Sequence, residues 1–361
     1  MFLKGFSDKD LVKRILKPVI YILIVCLLSG CSVAYYHSAI AGHLKILRQR
    51  VPIEGALYSS SLSQQQQQKL ELFMQARQFA FEELQLPNNK SYQHYVSLDD
   101  RFVVWNLVAT PEFSLVPKNF CFFIVGCLQY KGFFQQEEAL KEAAYWQQHD
   151  HDVSVSGVRA YSTLGWLPDP LLSSQLALPE HILISVLFHE LAHQKLYVKD
   201  DAAFNEAFAE AVAEAGLRLW YQRNGQEEQL DFLESYWKRA ESMRQLLRLT
   251  RHELEVLYAQ PLSDLEMRQS KRAVLANFKY RLRELKSEWG RFSGYDYWLK
   301  RSLNNAHFAL VGTYQHWLPA FRVLLAESTN LAEFYQASER LASLTFEQRQ
   351  THMKRLQHRH E

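Results

Sequence analysis

Only four of the 361 residues are cysteine, and glycine and proline number just 13 and 10. With 48% hydrophobic and 22% charged residues, that is the make-up of a globular chain. Its length allows one large domain or two lobes. Neither sign of charge dominates, because 41 Lys and Arg face 39 Asp and Glu. A net charge of +2 argues against nucleic acid as the main partner. No internal repeat is visible, which removes solenoids and propellers from consideration. No Cys-x-x-Cys pair occurs, so there is no zinc knuckle and no dithiol redox motif.

The small positive excess lies at the start of the chain. Lys4, Lys9, Lys13, Arg14 and Lys17 face only Asp8 and Asp10 there, a balance of +3 that leaves the rest at −1. An apolar run, PVIYILIVCLLSGC, begins at Pro18 and is short for a membrane span of about 20 residues. It ends in Leu28-Ser29-Gly30-Cys31, which resembles the bacterial lipoprotein box. That resemblance implies a signal peptide over residues 1–30, lipidation of Cys31, and a tether over 31–54. Ser32 after the cysteine implies sorting to the outer membrane, with the chain lipid-anchored and facing the periplasm. An uncleaved signal anchor or a core helix is the alternative. Cys26 would leave with the peptide, so export puts Cys121 and Cys127 together in an oxidising compartment. A disulfide around Gly126 is the expectation, against two buried free thiols.

Residues 60–86 read as a helix opened by a Ser-rich turn, with QQQQQK as its solvated face. Residues 93–165 are rich in Val, Phe, Tyr and Thr and broken by turn formers, the pattern of strands, with a helix in QEEALKEAAYWQQH. After Pro179 the pattern is helical almost to the end. The expected fold is α+β and mainly helical, with an α/β part over 55–180 and a helical part over 181–361. The charged stretch EMRQSKRAVLANFKYRLRELKSEW reads as a solvated helix in preference to a lid.

The chemistry concentrates in VLFHELAHQKLYVKDDAAFNEAFAE, residues 186–210. His189-Glu190-Leu191-Ala192-His193 is an H-E-x-x-H motif. On a helix, positions i and i+4 share a face, so both imidazoles can reach one metal ion, while Glu190 stands beside them as a general base. A catalytic zinc site needs a third protein ligand and an open fourth position. The following helical pattern, FNEAFAE, resembles the Asn-Glu helix of the gluzincins, the thermolysin-like and aminopeptidase-like zinc hydrolases. The resemblance implies one zinc ion held by His189, His193 and Glu206, with Glu190 taking the proton of the attacking water. It also implies that Glu210, one turn further on, accepts a hydrogen bond from a ligand histidine. Glu214 continues the row and is read as a solvated residue. Twelve residues separate His193 from Glu206, fewer than in the best-known gluzincins, so the connecting turn must be tight.

Nearly the whole chain is similar to a family of bacterial putative aminopeptidase lipoproteins. YYHSAIAGHLKIL, CFFIVGCLQYKGFF, GVRAYSTLGWLPDPLL, the zinc stretch and NNAHFALVGTYQHWLPAF carry the resemblance. Gluzincins supply an oxyanion donor from later in the chain, which makes Tyr314 the first candidate, with His316 and His307 as competitors. GVRAYSTLG, Gly157 to Gly165, is either an edge strand that holds a peptide substrate or a packed inner strand. The Gly-x-Met-Glu-Asn segment by which related aminopeptidases hold the substrate amine is absent, and Arg159 stands where an acid would help. Three functions stay open: a zinc aminopeptidase, an endo- or oligopeptidase of the same chemistry, and a non-catalytic zinc-stabilised lipoprotein that binds a partner.

Overall fold

Turn formers and β-branched residues become short strands in the first half of the chain, and 3.6-periodic stretches become helices on either side of them. The computed structural model describes residues 30–60, 62–122, 126–160, 167–290, 292–311 and 317–359. The expected signal peptide, apart from Gly30, lies outside the described residues, as do Tyr314 and His316. The chain divides into Met1–Gln49 and Arg50–Glu361. In the first unit, where a tether was expected, α1 (Gly30–Arg48) is helical, with Lys45 and Arg48 at its electronegative C-terminal end.

The second unit opens with β1 (Val51–Pro52), α2 (Ile53–Leu57) and α3 (Gln64–Glu82). Then come β2 (His94–Val96), β3 (Val104–Pro111), β4 (Phe120–Phe122), β5 (Gly126–Leu128) and β6 (Lys131–Phe133). After α4 (Gln136–Gln147), β7 (His151–Val158) and β8 (Leu171–Leu172) complete the strands. Beyond them lie α5 (Ser173–Leu176), α6 (Glu180–Lys195), α7 (Ala202–Arg223), α8 (Glu228–Tyr258) and α9 (Asp264–Glu288). The chain ends through α10 (Asp296–Lys300), a 3-10 turn at Asn305–His307, α11 (Leu318–Glu327), α12 (Leu331–Ala342) and α13 (Phe346–Gln357). The fold is α+β and mainly helical.

Local chemistry sets several of these boundaries. Ser63 and Gln66 close a capping box at the start of α3, each side chain accepting from the other's backbone N–H. β3 is the middle strand of an antiparallel sheet ordered β6-β3-β7, with Leu107 opposite both Lys131 and Val155. β7, which carries Gly157, is thus an edge strand among the described residues, while 161–165 lie outside them. β4 and β5 form a separate antiparallel pair with Cys121 opposite Cys127, and the two are joined by a disulfide.

The principal core is assembled from α3, α6, α7 and the last three helices. Leu70 and Phe73 of α3, Leu187 and Phe188 of α6, Phe204 and Phe208 of α7, Phe321 of α11 and Phe334 of α12 are all buried within it. A second cluster joins α8 and α9 through Met243, Leu254, Phe278 and Leu282. The charged helix α9 is therefore not simply solvated. Met267, Lys271, Leu275, Phe278 and Leu282 recur at helical spacing and bury one face. Lys271 gives its ammonium to Asp152 at 2.5 Å and to the Glu112 carbonyl at 2.8 Å, tying α9 to the sheet.

α7 carries alanine at 207, 209, 211, 213 and 215, all buried, so it packs on almost every side. Gly216 continues that pattern for a steric reason. A Cβ there would lie 2.6 Å from Leu84 and 2.8 Å from Phe188, the residue before His189. Alanine would gain about 1 kcal/mol of helix propensity, but overpacking a filled core costs about 1–3 kcal/mol. Because Phe188 is fully buried and cannot move aside, the clash is expected to prevail. Gly216→Ala should therefore lower the thermal midpoint. A midpoint at or above wild type would show that α6 and α7 are less tightly opposed.

Candidate metal centre

The site is built on α6 and α7 and on the short link between them. Pro179 precedes α6 and Glu180 lies in its first turn, where a negative charge is favoured. Leu183, Ile184, Leu187, Phe188, Leu191 and Ala192 bury the apolar side of the helix. That fixes the rotation at which His189, Glu190 and His193 are presented. α6 ends at Lys195 and α7 begins at Ala202, so six residues make the whole connection. The helix ends absorb the rest of the twelve-residue separation.

Two side chains hold the link in shape. Asn205 accepts from the Val198 N–H at 2.8 Å and donates to the Val198 carbonyl at 2.7 Å, a two-way clamp across the turn. The asparagine of the Asn-Glu pair thus positions the backbone that brings Glu206 to the histidines. Asp200 takes a left-handed backbone conformation at φ 62, which acidic residues tolerate better than most. Asp201 caps α7 by accepting from the Phe204 N–H at 3.2 Å and pairs with Arg349 of α13 at 2.8 Å. Both members of that pair are buried, so removing one would leave an uncompensated charge at a cost of about 3–5 kcal/mol.

On this frame three candidate ligand atoms converge. His189 Nε2 and His193 Nε2 lie 3.1 Å apart. Glu206 offers Oε2 at 3.3 Å to the first and Oε1 at 3.6 Å to the second. In a tetrahedral zinc site with bonds of about 2.0–2.1 Å, ligand atoms stand about 3.3 Å apart. The spacing, and a donor set of two imidazoles and a carboxylate, fit a zinc ion. The same three residues form the one group among those described whose side chains could share a metal ion.

Glu210 lies on the other side of His189, with Oε2 3.5 Å from Nδ1, long for a hydrogen bond but in the direction that fixes the tautomer. His193 has no such support. Its Nδ1 is buried without a hydrogen bond among the described residues. Glu190 is half-buried, and its charge is felt at His189.

In the metal-free chain, burial disfavours the His189 imidazolium, but Glu206, Glu210 and Glu190 outweigh it and push this histidine up to about 10. Burial and the neighbouring His189 charge push His193 down to about 4, with Glu206 opposing. Burial favours the neutral forms of Glu206 and Glu210, yet His189 holds both below the usual carboxylate range.

Two readings of the sequence need correction or completion. Glu214 is not solvated: it is buried and accepts Nε and Nη2 of Arg322 at 2.8 and 2.6 Å. The helical pattern of α7 placed it on the row of Glu206 and Glu210, but nothing in the local sequence announced a cation 108 residues away. Tyr130, passed over in the sequence, is set in the turn between β5 and β6. Burial raises its phenol, and the charges of Glu206 and Tyr197 add to that effect. His307 has its Nδ1 2.7 Å from Asn304 Oδ1.

A family model described as Putative aminopeptidase matches residues 34–353. No curated protein and no solved structure matches the chain. A match over so much of its length places the chain in the Putative aminopeptidase family.

Proposed function

We propose that the protein is a zinc-dependent peptidase, an aminopeptidase as its family description suggests, exported and held by a lipid at Cys31. The observation that carries the chemistry is the triangle of His189 Nε2, His193 Nε2 and Glu206, with edges of 3.1, 3.3 and 3.6 Å. When bound there, zinc supplies a Lewis acid that makes water nucleophilic and polarises the scissile carbonyl. Glu190, one residue round the helix from His189, takes the proton of the attacking water and returns it to the leaving amine. Glu210 keeps the His189 proton on Nδ1, so that Nε2 offers its lone pair. The edge of β7 is suited to take up an extended peptide by strand addition.

A phenol or imidazole that donates to the oxyanion would complete the machinery. Tyr314 is the residue assigned to that role from the sequence. The field of Glu206 at Tyr130 favours Tyr130 as a second candidate. Changing each to Phe separates them. The true donor's loss should lower kcat by about 10²- to 10³-fold with zinc content unchanged. Full activity in both variants would remove a tyrosine donor from the mechanism.

The test of the reading as a whole compares the mature protein with Glu190→Gln on a mixed peptide library, with zinc measured in both. Wild type should hold about one zinc and cut. The variant should hold zinc and cut about 10²- to 10⁴-fold more slowly. Acetylated peptides then decide between amino-terminal and internal specificity, since an aminopeptidase loses them. Zinc in both proteins with no cleavage by either would leave a metal-stabilised binding protein.

Anchoring is tested by metabolic labelling of the producing cells. Wild type should incorporate a labelled fatty acid and Cys31→Ser should not, and equal labelling of the two would refute the lipid anchor.

A further inference from the structure

Glu206, Glu210 and Glu214 stand at i, i+4 and i+8 of α7 and form one row along the helix. Carboxylates one turn apart repel each other. Two cations answer that repulsion from other elements, Arg322 on α11 and Arg244 on α8, and both act on Glu210 as well as on Glu214. Yet each donates to a different acid. Arg322 is spent on Glu214 through two parallel contacts of 2.8 and 2.6 Å. Arg244 donates Nε to Glu241 at 2.9 Å, and its Nη2 is buried without a hydrogen bond among the described residues. Glu210 is left to His189.

That division matters because a guanidinium is the stronger partner. A two-pronged arginine–carboxylate pair surpasses one imidazole N–H at 3.5 Å in both geometry and strength. One helical turn separates Glu210 from Glu214, a distance a long arginine side chain can bridge. An uncommitted Arg322 would draw Glu210 away from Nδ1.

We propose that Glu214 and Arg322 are positioning residues for His189: Glu214 occupies the Arg322 guanidinium and so reserves the Glu210 carboxylate for the imidazole. With Glu210 in place, the proton stays on Nδ1 and the lone pair on Nε2, the nitrogen turned toward His193 and Glu206. This inference rests on the zinc reading above. Glu214 and Arg322 hydrogen-bond to each other and not to the candidate ligands, so their effect on the site passes through Glu210.

The experiment measures zinc affinity by chelator competition for wild type, Glu214→Gln, Arg322→Gln and the double variant. Circular dichroism and thermal melts of the metal-free proteins accompany it. Glu214→Gln frees the guanidinium and should weaken zinc binding by about tenfold or more, the range for loss of an outer partner. The double variant has no Arg322 guanidinium to release, so its affinity should return toward wild type even where its thermal midpoint does not. Glu214→Asp shortens the reach and should fall between, which keeps the test alive if the glutamine variant folds poorly. Wild-type affinity in Glu214→Gln would overturn the proposal. So would a double variant that binds zinc as weakly as the single one, since packing and not reservation of Glu210 would then be at work. Absence of zinc binding in wild type would overturn the zinc reading itself, a result distinct from either.

Discussion

The clamp on the link between α6 and α7 is the constraint on which the rest of the site depends. Six residues must reverse the chain and still set Glu206 beside two histidines from the previous helix. Asn205 does this by bonding both backbone groups of Val198. Asp201 caps the new helix and is itself held by Arg349 from the far end of the chain. A buried ion pair is weak evidence for net stability, but here it determines where a turn lies. The C-terminal helix thus helps shape a site whose candidate ligands all precede it by more than a hundred residues.

The apolar faces of the same helices fix the remaining degrees of freedom. α7 approaches α6 closely because its contacts are made largely by alanine and, at Gly216, by no side chain at all. Phe188 fills that contact on one side while His189 points toward the polar row. Rotating either helix would break a filled core before it moved a ligand. The precision of the three ligand atoms is therefore a property of packing as much as of the motif.

Charge balance is the third element. A row of three carboxylates, one buried and two half-buried, is unfavourable unless cations or metal answer it. Two histidines face Glu206, Arg322 answers Glu214, and Glu210 lies between a histidine and two arginines. The arginines come from α8 and α11, so both the long hairpin and the terminal helices take part in the electrostatics. Family membership agrees with a peptidase, while the geometry is what favours zinc as the means.

Much of this was legible in the sequence because it is local. H-E-x-x-H needs only helical periodicity to place His189 and His193 together, and Asn205-Glu206 lies one short link away. The helical second half, the strands of the first half and the start of α3 follow from spacing, β-branched content and a Ser-rich turn. The parts that could not be read depend on contacts between residues far apart in the chain. Arg322 turns Glu214 from a supposed surface residue into a buried one, Arg349 holds the link, and Tyr130 feels the Glu206 charge from an upstream turn. α9 looked solvated because its charged residues outnumber its apolar stripe, and only the partner helix reveals the buried face. Spacing along one helix fixed which side chains share a face, and the tertiary fold alone decided which charges those faces meet. A charge's partner is set by distance in space, about which sequence separation says nothing.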